Sequence, residues 1–319
     1  MEKEDFINYL ESKDYTAKTI KGYVKYAENF FVKVKKEDIQ VTKPDVLKFL
    51  EYLKNTKKHS NQYRNQYLLA LKHYFDFLYQ EEKIAKSPCW FLKMRGITKR
   101  KMYKIFTPEE LDNLFDAYYQ IYVRNFDDSY MCKNYQKHSK LSKERNALAL
   151  SILINQGVTT TEIEKIELGD VDLIKATIKI RGSIKSNART IPLKAIQIGL
   201  FMHYLQNIRP QLLEYHKTEP NKLFLPITKA KYSKNEVKDT MLDYAFVTLS
   251  RQLRGIDKRF INVLQIRASV ITNWLKTEGL RKTQYLAGHR YVSSTEKFLP
   301  NNLDYLIDDI SRLHPFNFI

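Results

Sequence analysis

The sequence predicts a mainly α-helical protein of two domains with one small β-hairpin. Its 319 residues exceed the size of an ordinary single domain and suit two. Hydrophobic residues make up 43% of the chain, including 22 Tyr and 17 Phe, which is enough to build two buried cores. Only 9 Gly and 9 Pro are present, and this scarcity argues against disorder and against a Gly-rich all-β fold.

Residues 1–92 predict a helical first domain. Thr16 and Ser60 each precede apolar residues that recur at helical spacing, and both are favoured N-cap residues. Thr42 followed by Pro44 predicts a further helix start, because proline is well accommodated in the first turn.

Two groups of side chains near this domain are candidate DNA contacts. The early turns of the helix after Ser60 carry groups suited to base edges and phosphates: Asn61, Arg64 and Asn65. An ordinary polar helix face explains them equally well. Residues 93–106 predict an exposed basic linker that neutralises DNA phosphates. Its candidate contacts are Lys99, Arg100 and Lys101.

A second domain, residues 107–319, opens with Thr107, Pro108 and Glu110, which form a capping box with proline at the first helical position. Residues 120–143 lack periodicity and predict an insertion or a long loop. Helix is expected to resume near Glu144.

A β-hairpin is predicted in the middle of the second domain. Residues 176–181 alternate in polarity, with Ile178 and Ile180 on one face. A turn over residues 183–188 follows, and residues 189–193 return along the first strand.

The net charge of +18 and the pI near 9.5 favour a polyanionic partner, and nucleic acid fits better than a membrane surface. A solvated basic surface is the alternative. Cys89 and Cys132 have no metal-binding or CxxC spacing and predict free thiols in a reducing compartment. The charged N-terminus lacks a signal-peptide core, and the apolar run at residues 148–154 is too short to span a bilayer. We therefore expect no membrane partner and a place in the prokaryotic cytoplasm or nucleoid.

Several segments occur in a set order along nearly the whole chain: residues 106–111 (FTPEEL), 155–168 (NQGVTTTEIEKIEL), 181–193 (RGSIKSNARTIPL), 265–269 (QIRAS) and 286–290 (LAGHR). This series, preceded by the N-terminal helices, resembles the tyrosine recombinase (phage integrase) family. The resemblance implies a helical core-binding (SAM-like) domain that clamps double-stranded DNA. It also implies an α-rich catalytic-type domain with a small β-hairpin or sheet.

In that family a tyrosine attacks a DNA phosphodiester while two arginines and a histidine donate to the phosphate oxygens. A lysine protonates the departing 5′ oxygen, and no metal or cofactor is needed because the bond energy is stored covalently. The resemblance assigns Lys185 to the acid, Arg267 to the second arginine and His289 to the histidine. A solvated turn lysine, a structural ion pair and a structural histidine are the alternatives. Beside these motifs, Arg189 and Arg290 are further candidate DNA contacts.

Three positions depart from the family pattern. Thr159 stands where the first arginine is expected, Leu264 replaces the histidine three residues before Arg267, and Phe298 replaces the nucleophile. Phenylalanine has no oxygen and cannot form the covalent intermediate. An engineered Phe298 remains an alternative to natural degeneration. A substitute nucleophile is another alternative, and the candidates are Tyr291 and Tyr305.

The sequence thus predicts a DNA-binding recombinase-family protein that takes part in DNA integration or site-specific recombination of a mobile element, catalytically impaired and acting as an accessory or regulatory subunit. The alternatives are an active integrase and a non-enzymatic transcriptional or architectural DNA binder. A last apolar series has helical spacing: Leu303, Leu306, Ile307, Ile310 and Leu313. The resemblance implies that it docks on another copy or on an active recombinase subunit. Packing on its own domain is the alternative.

Overall fold

The computed structural model describes residues 1–96, 103–127, 129–183, 186–216, 219–227 and 242–299. The chain divides into two units, Met1–Lys101 and Met102–Ile319. The predicted mainly α-helical fold with a small sheet is confirmed. No helix in the described ranges combines the length and apolarity needed to cross a membrane.

The first unit is built from helices, and those after Thr16, Thr42 and Ser60 begin where the sequence predicts. The helices are α1 (Lys3–Ser12), α2 (Ala17–Val34), α3 (Lys43–Asn55) and α4 (Asn61–Gln80), with a 3₁₀ turn at Asp38–Gln40. The hydroxyl of Thr16 accepts from the Thr19 amide, and that of Ser60 accepts from the Tyr63 amide. The apolar faces of these helices enclose an aromatic-rich core.

The second unit contains further helices and a three-stranded sheet. Its helices are α5 (Pro108–Tyr118), α6 (Lys133–Gln156), α7 (Thr160–Ile163), α8 (Ala195–His203), α9 (Arg209–Leu213), α10 (Leu242–Ile256), α11 (Val263–Thr277), α12 (Gly279–Ala287) and α13 (Val292–Glu296). Single π-helical segments follow α5, at Tyr119–Arg124, and α8, at Tyr204–Ile208. The capping box at Thr107 is present, as predicted.

The predicted hairpin is confirmed and gains a third strand. The strands are β1 (Val171–Asp172), β2 (Thr177–Ile180) and β3 (Arg189–Pro192), antiparallel in the order β1-β2-β3. Ile178 lies opposite Ile191, and both are buried with Ile180, so one face of the hairpin packs into the core. β1 has only two residues, which is too short to show an alternating pattern.

The prediction of an insertion or long loop over residues 120–143, with helix resuming near Glu144, is wrong. The segment begins in the π-helix Tyr119–Arg124, and α6 already starts at Lys133. Most side chains in the first half of α6 are exposed or half-buried, so this part of the helix has no apolar stripe that a sequence pattern could reveal. The residue before the helix is Cys132, whose side chain makes no capping hydrogen bond, and the sequence therefore carries no start signal.

Candidate functional site

The end of α6 brings the chain next to Arg267 on α11. Gly157 closes α6 with a φ of 54°, in the left-handed region. A Cβ on this residue would lie 2.9 Å from Val270 Cγ1 on α11, so glycine permits the close approach of the two helices. The Gly157 carbonyl accepts a hydrogen bond from Nη1 of Arg267.

Arg267 is held on several sides, and its side chain is only 12% exposed. Its Nη2 donates to the Ala287 carbonyl at 2.8 Å and contacts His289 Nε2 at 3.3 Å, while its Nη1 lies 3.6 Å from Glu162 Oε2. Burial lowers the pKa of Arg267 to about 10; Glu162 opposes this shift and Arg189 adds to it. The guanidinium is therefore still protonated at neutral pH.

The imidazole of His289 is fixed by Arg267 on one side and by Thr295 on the other. Because Arg267 donates to Nε2, the proton resides on Nδ1, which donates to Thr295 Oγ1 at 2.9 Å. The ring of Phe298 stacks on the imidazole with 5.8 Å between centroids and 14° between planes. Burial, followed by the charges of Arg267 and Arg189, lowers the pKa of His289 to about 4.

We expect His289 to make the protein less stable as the pH falls from 6.5 towards 4. The unfolded histidine takes up a proton below about pH 6.5, whereas the folded one does so only near pH 4. Unfolding thus gains a proton in this window, and stability falls by about 1–2 kcal/mol after allowance for water at the half-buried ring. Urea titrations across this pH range should show that the free energy of unfolding depends less on pH in His289→Gln than in the parent protein. If the free energy of unfolding fell equally steeply with pH in both proteins, His289 would not be the source of the pH dependence.

Arg189 is not a surface DNA contact, and that prediction is wrong. Its side chain has no exposed surface. Its Nε donates to the Leu286 carbonyl at 2.7 Å, and its Nη1 pairs with Glu162 Oε1 at 2.7 Å. Burial alone would raise the pKa of Glu162, but the hydrogen bond from Arg189 and the charges of Arg189 and Arg267 lower it below its usual value. Arg189 therefore ties β3 to α7 and to the end of α12.

Gly288 provides the space for the Arg189 guanidinium. It ends α12 with a φ of 67°, and a Cβ here would lie 2.8 Å from Arg189 Cζ. Gly279 offers a matched comparison, since its φ of 75° is similar but a Cβ there would meet nothing within 4 Å.

Gly288→Ala is expected to lower the free energy of unfolding by about 2–3 kcal/mol, because left-handed strain and overpacking against Arg189 act together. Gly279→Ala should cost about 1 kcal/mol, from the backbone strain alone. Urea denaturation of both variants measures the difference. Equal losses would show that Arg189 yields freely to the added methyl group.

Thr159 and Leu264, two of the positions that differ from the family pattern, line the same cleft as Arg267. Thr159 caps α7: its hydroxyl accepts from the Glu162 amide, and its own amide donates to Glu162 Oε2 at 2.8 Å. Leu264 is 58% exposed. Both residues line a cleft of about 460 Å³ together with Arg267 and with side chains of α10, which include Arg254. No local pattern in the sequence of α10 predicts that this helix faces Arg267.

The tip of the β-hairpin lies against the same site. Asn187 donates through its backbone amide to the Gly288 carbonyl at 2.9 Å, and Ser186 pairs with His289 in a β-bridge. Lys185, the predicted acid, lies outside the described residues, as does Tyr305. Tyr291, the other alternative nucleophile, is 67% exposed, whereas Phe298 packs on the His289 ring.

The predicted DNA contacts of the first unit differ in their burial and in their hydrogen bonds. Arg64 is buried and donates to the Leu50 carbonyl and to Asn61, so the prediction that it contacts DNA is wrong. The Asn61 amide group donates to the carbonyls of Arg95 and Gly96 and thus holds the chain leaving this unit. Asn65 is half-buried and stays a prediction.

The remaining predicted contacts are either exposed or undescribed. Arg290, next to His289, is exposed and stays a prediction. Lys99, Arg100 and Lys101 lie outside the described residues.

Several known proteins are similar in sequence to this chain. Residues 3–84 match the domain model described as "Phage integrase, N-terminal SAM-like domain". Tyrosine recombinase XerC of Natranaerobius thermophilus is 26% identical over 98% of this chain and 97% of its own length. The chain is thus similar to tyrosine recombinases over nearly its whole length. Tyrosine recombinase XerD of Listeria innocua is 25% identical over 98% of each chain.

Solved structures of tyrosine recombinases share the fold of this chain. The XerH site-specific recombinase bound to its palindromic difH substrate has a TM-score of 0.65 at 17% identity, over 95% of this chain and 82% of that one. A lambda integrase dimer bound to a COC′ core site has a TM-score of 0.57 at 12% identity, over 93% and 75%. At these identities the likeness shows the fold of this chain and nothing of its chemistry.

Proposed function

We propose that this protein binds double-stranded DNA at the recombination sites of a mobile element without cutting it, as an accessory or regulatory subunit. The observation that carries the proposal is the contact between Arg267, His289 and Phe298. Two phosphate-binding positions of the family are kept and touch each other, while the position of the nucleophile holds a ring without an oxygen.

The charge and the cleft support DNA binding. The net charge of +18 suits a polyanion, and the cleft beside the kept arginine adds the exposed Arg254. The related structures of XerH and lambda integrase hold their proteins on DNA. Arg290, Asn65, Lys99, Arg100 and Lys101 remain our candidates for further phosphate or base contacts.

The loss of cleavage follows from the chemistry that is missing. Removing one donor to the transition-state charge typically costs about 10²–10³ in rate. Here Thr159 and Leu264 replace two donors, and Thr159 uses its hydroxyl to cap α7. Phe298 removes the attacking oxygen itself. Neither substitution disturbs the ion pair between Glu162 and Arg189, so the scaffold of the site persists.

We expect that the purified chain, incubated with sheared host DNA and quenched in SDS, gives no covalent protein–DNA adduct. The same preparation should bind duplex DNA with an affinity that falls steeply as salt rises, because binding releases condensed counterions. An adduct would overturn the proposal. Peptide mass analysis would then identify the attacking residue, with Tyr291 and Tyr305 as the first candidates.

The proposed role in a mobile element has its own test. The integrase of transposon Tn1549 in complex with circular-intermediate DNA shares the fold, with a TM-score of 0.60 at 17% identity, over 93% of this chain and 94% of that one. Footprinting on genomic fragments should locate the bound sites at element ends. Protection confined to a promoter would favour a transcriptional role instead.

The accessory role requires association with other subunits. The apolar series from Leu303 to Leu313 lies outside the described residues, and we propose that it joins this chain to another copy or to an active recombinase. Truncation before Leu303 should abolish co-assembly on DNA with an active subunit and preserve binding of the single chain. Unchanged co-assembly would exclude the segment as the link.

A further inference from the structure

The loop after α4 presents an exposed aromatic side chain from a strained backbone. Phe91 has a φ of 61°, in the left-handed region, and its surface is 88% exposed. A bulky non-glycine residue in this region is a genuine outlier. The other non-glycine residues with positive φ have short or polar side chains: Asp14, Lys35, Lys58, Glu82 and Ala176. No packing of the Phe91 ring among the described residues offsets the strain.

The residues around Phe91 hold the loop in place. Cys89 is fully buried in the core of the first unit, and its amide donates to Ser87 Oγ at 3.3 Å. The Trp90 amide donates to the Ser87 carbonyl, and its ring packs edge-on against Tyr79 with 5.1 Å between centroids. Phe91 is therefore displayed by an anchored turn, and strain kept in such a place is typical of binding sites.

A groove of about 310 Å³ lies beside this ring. It is formed by residues 41–43 at the start of α3 and by Lys86, Pro88, Trp90 and Phe91 of the loop. Lys43 and Lys86 are exposed, and neither makes an ion pair with the part of the chain that the structure describes. Among the residues that the structure describes, no acidic side chain lines the groove. Its surface is thus apolar and aromatic with two uncompensated positive charges.

Within the first unit, the groove lies apart from Asn65, the candidate DNA contact on α4. Its Trp90 contacts Tyr79 near the end of α4, whereas Asn61 and Asn65 lie at the start of that helix. A helix of this length spans about 30 Å. The loop follows the residues 3–84 that match the SAM-like domain model, whereas residues 41–43 of the groove lie within them.

We propose that this groove docks a partner protein through an acidic segment that carries a large apolar side chain. The apolar side chain packs between Trp90 and Phe91, and flanking carboxylates pair with Lys43 and Lys86. Aromatic anchors in a preformed pocket carry most of the binding energy in such interfaces, and charge complementarity selects the partner. This inference is independent of whether the chain cuts DNA.

The test uses the full-length chain and a displayed library of random peptides. Selection should enrich peptides that combine Asp or Glu with Leu, Ile or Phe. Synthetic copies of the selected peptides, measured by fluorescence anisotropy, should lose about tenfold or more in affinity for Phe91→Gly and for Lys43→Glu/Lys86→Glu. The exposed Lys57 serves as control, and Lys57→Glu should bind as the parent does.

Folding defects are excluded by the choice of variant, because glycine suits the backbone at residue 91 and Phe91→Gly should not lower the midpoint of thermal unfolding. Enrichment of peptides without acidic residues, or equal binding to all variants, would overturn the proposal. Competition by duplex DNA, together with a loss of DNA affinity in Phe91→Gly, would show that the groove belongs to the DNA surface instead.

Discussion

Arg189→Ala is expected to lower the free energy of unfolding by about 3–5 kcal/mol, the usual cost of removing one partner of a buried ion pair. The arginine side chain is fully buried, and Glu162 is only 10% exposed. Without Arg189, the Glu162 carboxylate keeps the Thr159 amide and a more distant Arg267, and the Leu286 carbonyl loses its donor. Urea denaturation followed by circular dichroism measures the loss.

Arg290→Ala is the matched control, since this arginine is exposed and its loss should change stability by less than about 0.5 kcal/mol. The double variant Glu162→Gln/Arg189→Met removes both charges of the pair and should recover part of the loss, but not all of it, because Arg267 then loses its carboxylate neighbour. If Arg189→Ala is as stable as Arg290→Ala, the ion pair does not hold the site together.

Local signals in the sequence were enough to predict where α2, α3, α4 and α5 begin. Thr16, Ser60 and Thr107 are caps whose partners lie three residues away, so a short stretch contains the whole interaction. The start of α6 at Lys133 has no such signal, because its first half is largely exposed and Cys132 does not cap it. The spacing of apolar residues cannot predict a helical segment that has no buried face.

The roles of individual arginines depend on contacts that are distant in sequence. Arg267 was recognised because an arginine in an apolar stretch needs a partner, and the structure supplies Glu162 and two carbonyls. Arg189 and Arg64 occur in polar stretches, so the sequence alone predicts them at the surface. Their partners include Leu286, Glu162 and Leu50, which no local pattern connects to them.

Restoring the missing groups should restore DNA cleavage. The triple variant Thr159→Arg/Leu264→His/Phe298→Tyr is expected to form the covalent adduct that we propose the parent does not form. Leu264 and Thr159 line an open cleft of about 460 Å³ beside Arg267, so larger donors have room there. A tyrosine at residue 298 would add a hydroxyl group to the ring that already packs against His289. The change at Thr159 removes the cap of α7 and costs about 1 kcal/mol, which the fold should tolerate.

The partial variants separate the contributions of nucleophile and donors. Phe298→Tyr alone should stay at least about 10²–10³-fold below the triple variant, because each absent donor leaves charge on the phosphate uncompensated. Thr159→Arg/Leu264→His without the tyrosine should form no adduct and should keep its DNA affinity, which shows that it is folded. If Phe298→Tyr alone matched the triple variant, Thr159 and Leu264 would not limit the chemistry, and the loss of activity would rest on a single residue.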